Sequence, residues 1–211
     1  LKVVSERCKT WQILGLALMA FNDALDLRTA VVEAVQDQNI TDVWPRLVKL
    51  AEATINRRLR AREQIATTVL NVANGFAYLP GDFMEVLSLY DATGRELTMQ
   101  PIGMAVRNGT QGFYAVDSDR ILAKEDGAFT LKYSAALPSV SGTLSASNWA
   151  LLRWPQVYLY TVATEAARYL RNPEMAREFE AVADREIAAI AAQDASARYG
   201  RAKVRFGWVS P

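Results

Sequence analysis

ATTVLNVANGFAYL, residues Ala66–Leu79, is the stretch where the texture of the chain changes. Before it, apolar residues recur every third or fourth position. Within it, Thr67–Val72 and Phe76–Leu79 are short runs rich in β-branched and aromatic residues. Asn74-Gly75 between them is a tight-turn signal, because both residues tolerate the positive φ that a two-residue hairpin loop requires. The same alternation of short apolar runs and turns continues toward the C-terminus. Met84–Tyr90 is mostly apolar, Asp91–Gly94 turns the chain, and Glu96–Gln100 reads as a short strand. Pro101–Arg107 reads as one helical turn. Gly112–Val116, a turn at Asp117–Asp119, Arg120–Lys124, a turn ending at Gly127 and the alternating Phe129–Tyr133 follow. Short turns between strands predict an antiparallel sheet of roughly four to six strands.

Helix is predicted on both sides of this region. Asp26 can cap a helix from about Leu27 to Gln38, with Leu27, Ala30, Val31 and Ala34 as its apolar side. Thr41 or Asp42 can cap the next, which carries Pro45 in its first turn and runs to about Glu63. Leu47, Leu50, Ala51, Ile55 and Leu59 make that helix amphipathic. After the Ser/Gly/Thr stretch Ser139–Ser147, Ser147 or Asn148 caps a helix over Trp149–Leu170 that is apolar nearly all round and therefore buried on more than one side. Pro155 breaks or kinks it. Arg171-Asn172 turns the chain, and Pro173 opens a last helix whose Ala176, Phe179, Ala183, Ile187 and Ile190 are spaced to pair with the preceding one as an αα-hairpin.

The two ends differ from the rest. Lys2, Arg7 and Lys9 precede the apolar run Trp11–Phe21. That outline fits either a packed helix or a signal peptide, and the run is too short to span a bilayer, which takes about 20 residues. Arg198–Pro211 (RYGRAKVRFGWVSP) contains four basic residues and no acid, and Gly200, Gly207 and Pro211 oppose helix. The reading is of an α+β protein: 1–65, N-terminal helices; 66–138, an inserted antiparallel β region; 139–197, a C-terminal helical hairpin completing a bundle; and 198–211, an extended C-terminal arm.

Composition narrows the function. With no His and one Cys, the chain has no histidine general base, no imidazole metal ligand, no CxxC pair and no Cys-rich cluster. Twenty-four Lys+Arg against 23 Asp+Glu give a net charge of +1, which exerts no global pull on nucleic acid. Phosphate-binding and nucleophile-elbow motifs are missing. Asp117-Ser118-Asp119 reads as a turn, not a calcium loop, and Asp82 with Glu85 as a cap for the segment after Gly81, not an acid/base pair. No catalytic residue, cofactor site or metal site is assigned.

Two stretches remain as contact candidates. Arg57, Arg58, Arg60 and Arg62, placed on one helix, sweep out a broad basic face. It fits a solvated surface, acids on a neighbouring subunit, or the phosphates of DNA. In the arm, Arg198, Arg201, Lys203 and Arg205 supply charge while Phe206 and Trp208 supply large apolar groups. The alternation from Arg201 to Phe206 sets charges on one side of a strand and apolar groups on the other. Such an arm packs as a strap on its own domain or docks on a partner.

Tyr78-Leu79-Pro80-Gly81-Asp82-Phe83-Met84-Glu85, followed by Leu87-Ser88-Leu89-Tyr90, resembles the Y-x-LP-x-DF-x-E-x-x-x-L segment of phage head-to-tail adaptor proteins. Leu50-Ala51-Glu52-Ala53 with Ile55-Asn56-Arg57-Arg58-Leu59-Arg60 resembles their LAEA-x-INR-x-LR helix. Phe113–Leu122 is similar to their hairpin, Gly127–Tyr133 and Ala136-Leu137-Pro138 to their next strand and exit, and Asn148-Trp149 through Pro155, Tyr158-Leu159-Tyr160 and Glu165-Ala166-Ala167 to their first C-terminal helix. The pieces keep the family's order over about Leu27–Arg198. Ala123-Lys124-Glu125 stands where a Pro-containing turn is common. The resemblance implies a structural virion protein of the neck, with no cofactor and no enzymatic activity. It implies a homo-oligomeric, dodecameric ring that joins the portal protein to a tail or nozzle protein and lines the channel through which phage DNA passes without sequence-specific binding. It implies no membrane partner. A neck or tail-terminator ring, a nucleic-acid-binding protein using Arg57–Arg62, and, on the Trp11–Phe21 run alone, an exported periplasmic protein are the alternatives.

Overall fold

The computed structural model describes residues 21–104 and 111–199. These form two compact units, one spanning Arg62–Ala136 and one made by the described residues on either side of it.

The helical unit begins with α1 (Ala24–Val35), whose N-cap is Asp23: its carboxylate accepts from the amides of Leu25 and Asp26. The helix therefore starts three residues before the expected Leu27. Asp26 sits inside the first turn and accepts from the backbone N–H of Asn22 at 3.0 Å. Carbonyls of the Ser/Gly/Thr stretch also accept here, Ala146 from the amide of Ala24 at 2.9 Å and Leu144 from that of Leu25, which it shares with Asp23, at 2.8 Å. An unsatisfied helix end is thus closed by the loop that precedes the C-terminal helices. Gln36 ends α1 in the left-handed region at φ 56°.

Helix α2 covers Trp44–Arg58 and has neither expected cap; Val43 precedes it without a side-chain bond, and Pro45 lies in the first turn. It stops at Arg58, five residues short of the expected Glu63, because Leu59 turns extended (φ −75°, ψ 131°) and is fully buried there. A 3-10 turn, Arg62–Gln64, follows. Asn148 caps α3 (Trp149–Arg153) by accepting from Leu151. Trp154 (φ −132°, ψ 62°) then breaks the helix, and α4 (Pro155–Tyr169) starts on the proline, as a ring without an N–H and with fixed φ dictates. Arg171 at φ 56° and Asn172, whose Oδ1 accepts from the amide of Met175 at 3.2 Å, lead into α5 (Pro173–Tyr199).

Helix α4 is the centre of this unit. Its run Val157–Ala167 is buried except Glu165, and α1, α2 and α5 all pack against it. Ala163, Ala166 and Ala167 are fully inaccessible, so small side chains allow close helix approach on more than one side. Arg168 on α4 reaches Glu180 on α5 at 3.0 Å, and Tyr160 lies 6.1 Å from Phe179, ring centre to ring centre.

The β unit contains β1 (Ile65–Val72), β2 (Phe76–Tyr78), β3 (Phe83–Tyr90), β4 (Thr98–Met99), β5 (Phe113–Asp117), β6 (Arg120–Ala123) and β7 (Gly127–Ala135). They build two sheets where one was expected: β1-β7-β3 and β2-β6-β5-β4. The turn between β1 and β2 has the expected conformation, with Asn74 at φ 56° and Gly75 at φ 83°. Pairing across it, however, ends at the single bridge Ala73 to Phe76. β1 instead pairs along its whole length with β7, and β2 pairs with β6. Separate pairing lets both sheets turn an apolar face to one shared core. Leu70, Val72, Leu89, Phe129, Leu131 and Tyr133 come from the first sheet, and Ala77, Tyr114, Ile121 and Ala123 from the second. One ladder departs from the antiparallel expectation: β4 runs parallel to β5. The Asp117–Asp119 turn is a tight one, with Ser118 at φ 55°. Asp82 caps no helix; it precedes β3 and accepts from the Tyr133 hydroxyl at 3.0 Å. Residues 102–104 are helical, and the rest of the turn expected to Arg107 lies outside the described residues.

Phe21 is buried. The remainder of the run from Trp11, with its two readings, lies outside the described residues, as does the arm from Gly200 onward. Arg198 and Tyr199 belong to α5, so the extended segment does not begin at Arg198.

Candidate interaction surfaces

Helix α2 carries both candidate features of the helical unit, one on each side. Its apolar side, Leu47, Val48, Ala51 and Ile55, is buried, and so is Glu52. A carboxylate at that depth needs partners, and the returning chain supplies them. Ser139 donates its hydroxyl to Oε2 at 2.6 Å, Val140 its backbone N–H to Oε1 at 2.7 Å, and Tyr158 its hydroxyl to Oε1 at 3.5 Å. Burial pushes the Glu52 carboxyl above the usual range, and these hydrogen bonds together with the Lys49 charge pull part of the way back. Asn148 extends the network: its amide nitrogen donates to the Pro138 carbonyl and to the Tyr158 oxygen, both at 2.7 Å. Burial holds the Tyr158 hydroxyl far above its ordinary range. Asn56, one turn on from Glu52, accepts the N–H of Leu137 at 2.9 Å. The group is a clamp on residues 137–140. Its polar atoms bond one another.

The opposite side of α2 is exposed and basic. Arg46, Lys49, Leu50, Ala53 and Arg57 are all exposed, at the spacing of one helical face. Leu50 is a large apolar side chain left 49% accessible in their midst. Among the described residues, Arg46 and Arg57 have no ion-pair partner.

The four arginines singled out in sequence do not form one face, because α2 ends among them. Arg57 belongs to the stripe. Arg58 reaches Asp184 on α5 at 2.6 Å. Arg60 folds back to donate to the carbonyls of Asn56 and Leu59, both at 2.9 Å, which satisfies carbonyls at the helix end where a cation is favoured. Arg62 lies in the β unit, 3.4 Å from Glu63. Sequence reading passed over Arg46 and Lys49. The signal was their offset from Arg57 by whole helical turns, visible once the run is read by period and not by density. Of the arm residues, Arg198 lies on α5, and Arg201, Lys203, Arg205, Phe206 and Trp208 lie outside the described residues.

The β unit is acidic. Its nine Asp and Glu against six Lys and Arg give −3, whereas the rest of the chain, with 18 basic and 14 acidic residues, stands at +4. Val69, Leu87, Tyr78 and Met99 are exposed on its strands. Arg120 lies over the Phe76 ring at 5.8 Å and pairs with Asp117 at 3.3 Å. Among the described residues there is no cluster of potential metal ligands and no helix long and apolar enough to cross a membrane.

Residues 22–205 match the family model described as SU10 adaptor protein. No curated protein matches the chain.

Proposed function

Because the chain belongs to the SU10 adaptor protein family, whose members are phage head-to-tail adaptors, we propose that it forms a ring at the neck of the virion, between the portal protein and the first tail or nozzle protein. It is a structural protein of the virion that links head and tail, in a family of structural proteins and not of enzymes. The observation that carries the ring reading is the family match across 22–205, which takes in both units. A connector needs faces that bind on two sides and around its circumference, and the exposed apolar and charged groups of α2 and of the β strands support this reading.

In this reading the ring is dodecameric and encloses the path of the DNA. Phosphate contact within it is weak, since a strongly adhesive channel would retard ejection. The β unit, with its exposed Tyr78, Val69, Leu87 and Met99, serves one neighbouring virion protein. The arm, through Arg201, Lys203, Arg205, Phe206 and Trp208, serves the portal. Electron microscopy of the full-length protein mixed with its portal tests this: a ring seated on the portal is expected. A protein that stays monomeric and does not bind the portal would remove the proposal. A ring found at the tail end of the particle would instead make it a tail terminator.

A further inference from the structure

A closed ring built from identical chains needs two different, mutually complementary surfaces on each chain, because the contact is head-to-tail and not self-paired. The helical unit carries such a pair on adjacent helices. Residues 21–43 hold five acidic residues and one basic residue, whereas residues 44–61 hold five basic residues and one acid, and that acid is the buried Glu52. The exposed side of α1 runs through Asn22, Leu25, Thr29, Glu33 and Gln36, spaced as one face, with Asp26 and Asp37 beside it. Leu25 is 42% accessible on this acidic face, as Leu50 is 49% accessible on the basic face of α2. Among the described residues neither Glu33 nor Asp37 has an ion-pair partner, and the same holds for Arg46 and Arg57.

Each face is therefore a stripe of one sign with an exposed leucine in it. At about 1.5 Å per residue, Arg46 to Arg57 extends about 16 Å and Asp26 to Glu33 about 10 Å, so the two stripes can lie along one another. DNA would account for the basic stripe but leaves the acidic one, and both leucines, without a use.

We infer that the basic face of α2 in one copy docks on the acidic face of α1 in the next, with Leu50 and Leu25 as the apolar contact between opposed charges. This rests on the ring reading above. Opposite charges guide the approach and reject the wrong register, since like-charge juxtaposition is costly. The leucines supply the desolvated centre. Assembly on the portal accordingly weakens as salt rises, because the rim charges are screened beyond about 8 Å at physiological ionic strength.

The test uses the full-length chain and its portal, with ring occupancy scored by native mass spectrometry and microscopy. Leu25, Glu33, Arg46, Leu50 and Arg57 are exposed and Asp37 is half-buried, and circular dichroism verifies folding. Arg46→Glu with Arg57→Glu should reduce ring formation by about tenfold or more, as should Glu33→Lys with Asp37→Lys. Combining the two sets should restore it. In a Cys8→Ser background, Leu25→Cys with Leu50→Cys should oxidise to a ladder of oligomers, as a head-to-tail contact requires. Rings unaffected by either reversal, or losses that add without restoration, would overturn the inference while leaving the ring intact. So would dimers from Leu50→Cys alone, or a loss of salt-sensitive DNA binding with normal rings. A wild-type chain that never forms rings would overturn the ring reading, and this inference with it.

Discussion

The carboxylate of Glu52 accepts the backbone N–H of Val140 at 2.7 Å, joining the middle of α2 to a residue 88 positions further along the chain. The bond marks where the chain re-enters the helical unit after the β unit. Asn56 holds Leu137 in the same way. Two polar side chains one helical turn apart thus hold the returning segment, at Leu137 and Val140, against α2.

Replacing Glu52 separates its roles. Glu52→Ala leaves the Val140 N–H and Tyr158 hydroxyl without their acceptor and should cost about 1–3 kcal/mol. Glu52→Gln keeps an acceptor for Val140 and removes the buried charge. Because burial raises the folded-state carboxyl, the folded protein binds this proton more tightly than the unfolded chain. Wild-type stability attributable to Glu52 is therefore greatest in acid and falls as pH rises from the usual glutamate range through the raised folded-state value. Denaturant midpoints across that window should show the glutamine variant gaining on wild type as pH rises. A constant difference at every pH would mean that the carboxyl is not perturbed.

Asn148 serves three partners with one amide: Leu151, Pro138 and Tyr158. Asn148→Ala should cost about 1 kcal/mol for the lost helix cap and about 1–3 kcal/mol more for the Pro138 carbonyl and Tyr158 oxygen that lose their donor. Asn148→Asp keeps the cap but loses both donors and sets a second carboxylate close to the Tyr158–Glu52 pair. It should destabilise more at neutral pH than in acid. Thermal unfolding of both variants at two pH values tests the assignment; equal losses for Asp and Ala at both would contradict it.

Local signals in the sequence explain which of these features were legible. Asn148, Pro155, the Arg171-Asn172 turn and Asn74-Gly75 act through their own backbone, so residue type alone announces them. The start of α1 is ambiguous in sequence because Asp23 and Asp26 are both plausible caps three residues apart, and only the amides they accept distinguish them. The end of α2 is hidden because Leu59 continues the apolar period while its backbone is already extended. The two sheets were invisible for a different reason: β1 has its partner in β7, more than fifty residues away, and nothing in β1 names it. Glu52 sits one turn from Val48, which puts it on the apolar face of α2. The basic stripe of α2 was half legible, through Arg57, and hidden where charges were sparse.

A second pH dependence runs the other way. Asp91 accepts from the Thr93 hydroxyl and from the amides of Thr93 and Arg95, and the Thr93 hydroxyl contributes most to holding its carboxyl below the usual aspartate range. A depressed folded-state value means that its contribution is complete above the usual range and is lost as pH falls through the folded-state value. Asp91→Asn should weaken the turn between β3 and β4 near neutral pH, with the gap to wild type closing in acid. Hydrogen exchange of the Thr93 and Arg95 amides reads this directly; a gap that widens in acid would refute it.

The arm should be separable from the fold. Among the described residues the buried core ends at Ile190. Deleting Arg201–Pro211 should leave the circular dichroism spectrum and unfolding midpoint close to those of the full chain. It should weaken attachment to the portal, since Phe206 and Trp208 are the only large aromatic groups after Tyr199 and anchors of this kind carry much of a contact's energy. A loss of about tenfold or more in portal affinity is expected, with Phe206→Ala and Trp208→Ala together giving most of it. Reversing Arg201, Lys203 and Arg205 to Glu should chiefly slow association and reduce its salt dependence. If the truncated chain binds the portal as the full chain does, the arm has another use. If it unfolds more easily, the arm is a strap on its own domain.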